Sequence, residues 1–244
     1  MRPVKCSRKL WMVSFVAAAA LAACVWGCSD LQGPPPAAGP PPATAPPGPA
    51  CPADMVGVPV VNVCIDRYEA SRGPDGRAQS VQGAEPWANL KWADAKAACE
   101  AAGKRLCRAD EWITACQAGP EKRQYPYGND YQDSACNTGD HKRWHEKHNC
   151  SVDDDGSGPN SLARTWHAVP TGSLASCEGG LPGLFDMSGN VGEWADACEG
   201  DYCRSRSSGY WGYAAGATQR CEGGHKLHKD ATFPYVGFRC CRAP

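Results

Sequence analysis

The sequence predicts an α+β domain rich in loops and stapled by disulfides. Three observations carry that expectation. The chain holds 16 cysteines in 244 residues, and cytosolic thiols stay reduced, so such a load implies an oxidising compartment or metal clusters. No Cys-X-X-Cys pair occurs, which disfavours zinc ribbons and thioredoxin-like motifs and leaves disulfides as the better reading. Helical patterning is confined to the stretch before Gly119, and beyond Tyr125 Gly, Pro, Asn and Trp leave little periodicity. A formal net charge of -1 supplies no basic field, so nucleic acid is not an expected partner.

The chain divides into residues 1–24, 25–50 and 51–244. Arg2, Lys5, Arg8 and Lys9 precede an apolar run from Leu10 to Leu21. Leu21-Ala22-Ala23-Cys24 then resembles a lipobox, in which the cysteine is lipidated and the chain is cut before it. Cys28 is a second candidate, disfavoured by the bulk of Trp26. A signal anchor over Leu10–Gly27 is the competing reading, since that stretch is just long enough to span; its alanines are weak membrane formers. Either way the rest of the chain is expected outside the cytoplasm, with the membrane as partner through the lipid anchor. Cys24 is not followed by Asp, and by similarity to Gram-negative lipoproteins the expected address is the outer membrane. Residues 33–50 contain little except Pro, Gly and Ala; this composition favours extended chain and reads as a stalk.

The domain, residues 51–244, is long enough for one core. Val56–Tyr68 reads as strand and turn. Trp92, Ala95, Cys99 and Ala102 share one face at helical spacing, so a helix is expected near Trp92–Ala102, with Gly103 as its left-handed stop. A second helix near Ala109–Gln117 carries Asp110 and Glu111 in its first turn, where carboxylates complement the dipole. Gly119-Pro120 ends it.

Certain segments carry a family signature. They are Cys64-Ile-Asp-Arg-Tyr-Glu69, Ala102-Gly-Lys-Arg-Leu-Cys-Arg-Ala-Asp-Glu-Trp112, Tyr125-Pro-Tyr-Gly-Asn129, Gly183-Leu-Phe-Asp-Met-Ser-Gly-Asn-Val-Gly-Glu-Trp194 and Val236-Gly-Phe-Arg-Cys240. Their order and spacing resemble the formylglycine-generating enzyme (sulfatase-modifying factor) family across the whole domain. That resemblance implies a loop-rich variant of the C-type-lectin-like fold. It also implies the disulfides Cys99–Cys240 and Cys116–Cys221, which close long loops. Cys51–Cys64, Cys136–Cys177 and Cys198–Cys203 are further expected pairs, from proximity in sequence or from the expected fold. Cys107 is then left for Cys241, and Cys150 is left over; sequence alone does not fix connectivity.

The family's activity needs two cysteines four residues apart after an Arg-Gly-Gly-Ser-aromatic stretch, where soft thiolates suit copper(I). Here that stretch resembles Arg206-Ser207-Ser208-Gly209-Tyr210, and the cysteine positions fall near Gly212 and Ala217. Neither residue binds copper, so no catalytic residue and no copper are expected. Cys198 and Cys203 have the right gap on the wrong side of Arg206, and a local disulfide is the plain reading.

The resemblance implies structural calcium held by the side chains of Asp186 and Glu193 and the carbonyls of Gly189 and Val191, a mixed oxygen set that suits a hard cation. Alternatively, Asn190 and Glu193 only brace turns. A second implied site uses Asn137 and the Thr138 carbonyl with an acid from Asp153–Asp155. His141, His145 and His148 read as a polar surface insertion rather than a zinc site, because Lys142, Arg143 and Lys147 crowd them with charge. Trp87, Trp92, Trp112 and Trp194 read as packing residues. Tyr210, Trp211 and Tyr213, beside the vacated positions, are candidates to line a groove. The expected function is therefore a tethered, non-catalytic binding or structural module with a peptide or glycan ligand. The alternative is an oxidoreductase converting a substrate cysteine to formylglycine.

Overall fold

The computed structural model describes residues 50–132, 135–138, 168–211 and 217–244, and only the backbone of Trp211. The leader with Cys24 and Cys28, the Pro-rich stretch, His141, His145, His148, Cys150, Asp153–Asp155, Gly212 and Tyr213 lie outside the described residues. No helix among the described residues is long and apolar enough to cross a membrane.

The expected strand and turn near the start form a hairpin. β1 (Met55–Val58) runs antiparallel to β2 (Val63–Asp66), and Asn62 turns the chain at φ 46°. Asn tolerates that left-handed conformation better than most residues because its amide bonds locally. The hairpin is extended by β10 (Cys240–Arg242) and then by β5 (Arg105–Leu106), giving a sheet in the order β1-β2-β10-β5. β3 (Ser71–Arg72) and β4 (Ala78–Gln79) make a separate short ribbon. A second sheet has the order β8-β7-β6-β9, from β6 (Gly192–Glu199), β7 (Tyr202–Arg206), β8 (Gly224–His228) and β9 (Val236–Phe238). β6 and β9 run parallel; the other neighbours in this sheet are antiparallel.

Both expected helices form. α1 (Trp92–Ala101) buries Ala95, Ala98 and Cys99 and stops at Gly103, whose φ is 69°. α2 (Ala109–Cys116) buries Trp112, Ala115 and Cys116. Its first-turn Glu111 does more than face the dipole: it is buried, accepts Arg108 N at 2.9 Å, and pairs with Arg105 at 2.6 and 2.7 Å. Two apolar clusters result. One gathers Val58, Ile65, Trp112, Leu184 and Met187 against the first sheet; the other gathers Leu90, Ala95, Leu106, Trp194 and Phe238 beneath the second. Trp112 and Trp194 are core residues, while Trp87 and Trp92 are half-buried at the edge of the second cluster.

Six disulfides form among the described residues: Cys51–Cys64, Cys99–Cys240, Cys107–Cys241, Cys116–Cys221, Cys136–Cys177 and Cys198–Cys203. They are the pairs expected above. Cys99 ties α1 to β10 and Cys116 ties α2 to the approach to β8, across 141 and 105 residues. Cys198 and Cys203 are direct cross-strand partners in the β6–β7 hairpin, so their gap of four residues serves a turn. Each longer bridge restricts a large loop in the unfolded chain, worth roughly 4–5 kcal/mol by loop-closure entropy. Replacing Cys99 and Cys240 together by Ala is expected to lower the unfolding free energy by about that amount in urea titrations; a midpoint equal to wild type contradicts this role.

Candidate functional site

The segment 186–193 turns repeatedly through left-handed backbone: φ is 59° at Asp186, 77° at Gly189 and 51° at Asn190. Only glycine fits at 189 for a further reason, since a Cβ there would lie 2.4 Å from the Asn137 carbonyl oxygen. This close approach brings the two expected cation-binding segments together. Asn190 N donates to Asn137 O at 2.8 Å, and Asn137 Nδ2 donates to Asn190 Oδ1 at 3.1 Å.

Two residues without an assigned role in the sequence reading organise this segment. Glu69, fully buried, accepts Asn190 Nδ2 at 2.5 Å and Val191 N at 2.9 Å. Arg239, also fully buried, directs its guanidinium at Glu193: Nε lies 3.1 and 3.2 Å from the two carboxylate oxygens and Nη2 lies 2.9 Å from Oε1. Its remaining donors reach Asp66 O at 2.8 Å and Phe185 O at 2.7 Å. Trp112 Nε1 completes the shell of Glu193 with a 2.6 Å bond to Oε2. Glu69 and Arg239 both lie inside the family segments, yet periodicity marks apolar burial and gives no signal for a buried charge.

This arrangement bears on the calcium expected at Asp186, Gly189, Val191 and Glu193, because both acidic side chains already have protein partners. A hard cation needs several oxygens with free lone pairs converging on one point. Glu193 has given both oxygens to Arg239 and Trp112, and the adjacent guanidinium charge repels a cation. Asp186 Oδ2 accepts Gly172 N at 2.7 Å. Among the described residues no three acidic, His or Cys side chains are grouped to hold a metal ion. Among the described residues, Asn190 and Glu193 brace the turns through protein hydrogen bonds. Thr138 lies against Gly189, but the acid expected with Asn137 and Thr138 lies outside the described residues.

The stretch after β7 occupies the place where the family's chemistry is expected. Ser207 sits at φ 56° in a position where the family stretch has glycine. Its Oγ accepts Gly189 N at 2.9 Å and lies 3.0 Å from Gln219 Oε1. Gln219 is buried; its Oε1 also accepts Gly189 N at 2.9 Å, and its Nε2 donates to Gly209 O at 2.9 Å. Ser188 Oγ donates to Gln219 O at 3.0 Å, and Ser208 Oγ lies 2.9 Å from Thr218 Oγ1. Hydroxyl and amide groups thus clasp residues 207–209 to 218–219. Tyr210, 7 % exposed, is anchored by its N–H on Asn190 O at 2.8 Å, and burial raises its phenol pKa. Ala217, one of the two positions aligned with the catalytic cysteines, is exposed. Every cysteine among the described residues is in a disulfide.

Burial leaves the hub with excess acid. It pushes Asp186 up to about 6, against the opposing Gly172 N–H and Arg239. It also pushes Asp66 to about 6 despite Lys104. Glu69 is raised well above the carboxylate range, first by burial and then by Asp186 and Glu193. A folded pKa above the unfolded value means the native state holds its proton more tightly. This contribution is therefore full below about pH 4 and is lost as pH rises through about 6. The unfolding free energy is expected to fall from pH 5 to pH 7.5 by a few kcal/mol at most, with a shallower fall in Glu69→Gln. Equal slopes in both proteins contradict the assignment of Glu69. Asp186→Ala is expected to cost the same melting temperature in calcium as in chelator, because its partner is Gly172 N; a loss confined to calcium reinstates the cation.

Comparison with known proteins agrees with this geometry. The profile of the family described as "Sulfatase-modifying factor enzyme 1-like domain" matches residues 50–244. The inactive C-alpha-formylglycine-generating enzyme 2 of Bos taurus is 28% identical over 163 residues, covering 64% of this chain and 49% of the relative. The formylglycine-generating enzyme of Mus musculus is 32% identical over 127 residues, covering 50% of this chain and 30% of the relative. The chain thus spans about half the length, or less, of these two relatives. The crystal structure of CarF superposes with a TM-score of 0.50 at 17% identity, covering 75% of this chain and 86% of that one; at that identity the likeness concerns the fold alone. With a family match running the length of the disulfide-stapled domain, the chain belongs to the sulfatase-modifying factor enzyme 1-like domain family.

Proposed function

We propose that this chain is an exported, lipid-tethered protein whose domain binds a ligand or serves a structural role without catalysing formylglycine formation. The observation that carries this reading is the segment 206–219. Glycine and alanine stand near the positions of the two expected cysteines, Gly212 and Ala217, and the ends of the segment are held by the Gln219 clasp. Neither side chain offers a donor for a soft metal. The described cysteines that might substitute are in cross-links. The existence of a relative named as inactive supports the same reading, as does a loop whose described ends, 207–210 and 218–219, are hydrogen-bonded to each other and to the 188–190 turn.

Such a loop suits recognition, since ordering it before contact lowers the entropic cost of binding. The lipobox at Cys24 and the Pro-rich stalk support display away from a membrane surface, with the outer membrane as the proposed address. A peptide or glycan is the proposed ligand class, because aromatic rings give contact area at small entropic cost.

The test incubates the full chain with copper(I), oxygen and a cysteine-containing peptide. Oxygen uptake is expected to equal that of the buffer, with no aldehyde on the peptide. Uptake coupled to aldehyde formation contradicts the reading and establishes the formylglycine-generating alternative. On glycan and peptide arrays, retained ligand that is lost on Tyr210→Ala identifies the loop as the binding surface; an empty array leaves only the structural role.

A further inference from the structure

Arg206 closes β7 as a buried cation with no ion pair among the described residues. It is 7 % exposed, and its Nε is inaccessible and has no hydrogen-bond partner. A guanidinium stays ionised and carries five N–H donors. Leaving a buried donor unmet costs on the order of 1–3 kcal/mol, and more where the group is charged. The strand register explains how this residue comes to be left over. Glu193 is its direct partner on β6, but Glu193 has given both oxygens to Arg239 and Trp112. Arg239 therefore holds the acid that the register sets opposite Arg206, and the charge that bears on Arg206 is the like charge of Arg204.

The surroundings of Arg206 add positive charge. Arg204 stands two residues earlier on the same face of β7, about 7 Å along the strand. It is exposed and takes part in none of the ion pairs among the described residues. Its cross-strand partner is Lys226, and Glu199, the acid that feels Arg204, is held by Lys226 at 2.7 Å. On the β8 side, Arg206 faces Gly224. No side chain fits there: a Cβ on Gly224 would lie 2.0 Å from Ser205 O and 3.2 Å from the Arg206 Cα. The β8 neighbour therefore offers Arg206 no side-chain partner.

We propose that Arg206, with Arg204 at its rim, is an anion site that takes an oxyanion: a sulfate, phosphate or carboxylate group. Planar guanidinium groups bind such oxygens in pairs, with charge-assisted hydrogen bonds. The oxyanion supplies the acceptor that the fold withholds when Glu193 goes to Arg239. This site goes beyond the binding-module reading and does not depend on it, since a free anion and an anionic group on a larger ligand present the same oxygens.

Titration calorimetry on the full chain with inorganic sulfate, inorganic phosphate and acetate, each at ionic strength held constant with chloride, tests the site. Saturable one-site binding of at least one anion is expected. Arg206→Gln is expected to weaken it roughly tenfold or more, and Arg204→Gln roughly threefold, as loss of a charged hydrogen bond implies. A preference for sulfate or phosphate over acetate assigns a tetrahedral group, and the reverse a carboxylate. In chloride alone, Arg206→Gln is expected to melt no lower than wild type, because an unpaired buried charge has been removed. If Arg206→Gln does not fold, Arg204→Gln and Arg206→Lys carry the test, the latter keeping the charge while losing the fork. Wild type that binds none of the three anions, or variants that bind as wild type does, overturns the proposal.

Discussion

The guanidinium of Arg239 joins parts of the chain that lie far apart in sequence. It sits between β9 and β10, so it belongs to the junction of the two sheets, and it reaches Asp66 O at the end of β2, Phe185 O and the Glu193 carboxylate of β6. Trp112 brings α2 to the same carboxylate. A buried ion pair is no guarantee of net stability, because both charges are desolvated. Once it is built, however, each partner becomes indispensable: removing one strands the other in a site with no water. The fold therefore depends on this pair less for its strength than for the cost of leaving either half alone. The disulfides Cys99–Cys240 and Cys107–Cys241 flank it on the C-terminal side and hold Arg239 in register.

The same pairing decides what the neighbouring groups can do. With its oxygens taken, Glu193 is not a cation ligand, and the 186–193 turns are braced from within by Glu69 and Asn190. With Glu193 and Glu199 both paired elsewhere, neither acid bonds Arg206. The hydroxyl and amide clasp at Gln219 then joins residues 207–209 to 218–219, on either side of the positions where the resemblance places the thiols. These features describe one scaffold: braced turns, sulfur engaged in cross-links and a buried cation whose Nε has no hydrogen-bond partner.

Much of this was legible in the residues. α1 follows from the spacing of Trp92, Ala95, Cys99 and Ala102 with Gly103 as its stop, and α2 from Asp110 and Glu111 in its first turn with Gly119-Pro120 beyond its end, because these are local signals. Cysteine pairing came from resemblance and from order along the chain, and the geometry agrees with it. The roles of Glu69, Arg239 and Gln219 were not legible. Each sits in a short stretch without period, and its partners lie 10 to 173 residues away. The partners of the expected calcium ligands were not legible for the same reason. An acid in a glycine-rich turn resembles a ligand until the residue opposite it is known, and here that residue is an arginine.

The most direct measurement is a double-mutant cycle on the hub, with urea unfolding of Arg239→Met, Glu193→Gln and the combined variant. Each single change strands a buried partner and is expected to cost about 3–5 kcal/mol. The combined variant is expected to cost clearly less than their sum, a coupling of at least about 1 kcal/mol. Single variants close to wild type, or losses that simply add, contradict the claim that this pair organises the domain.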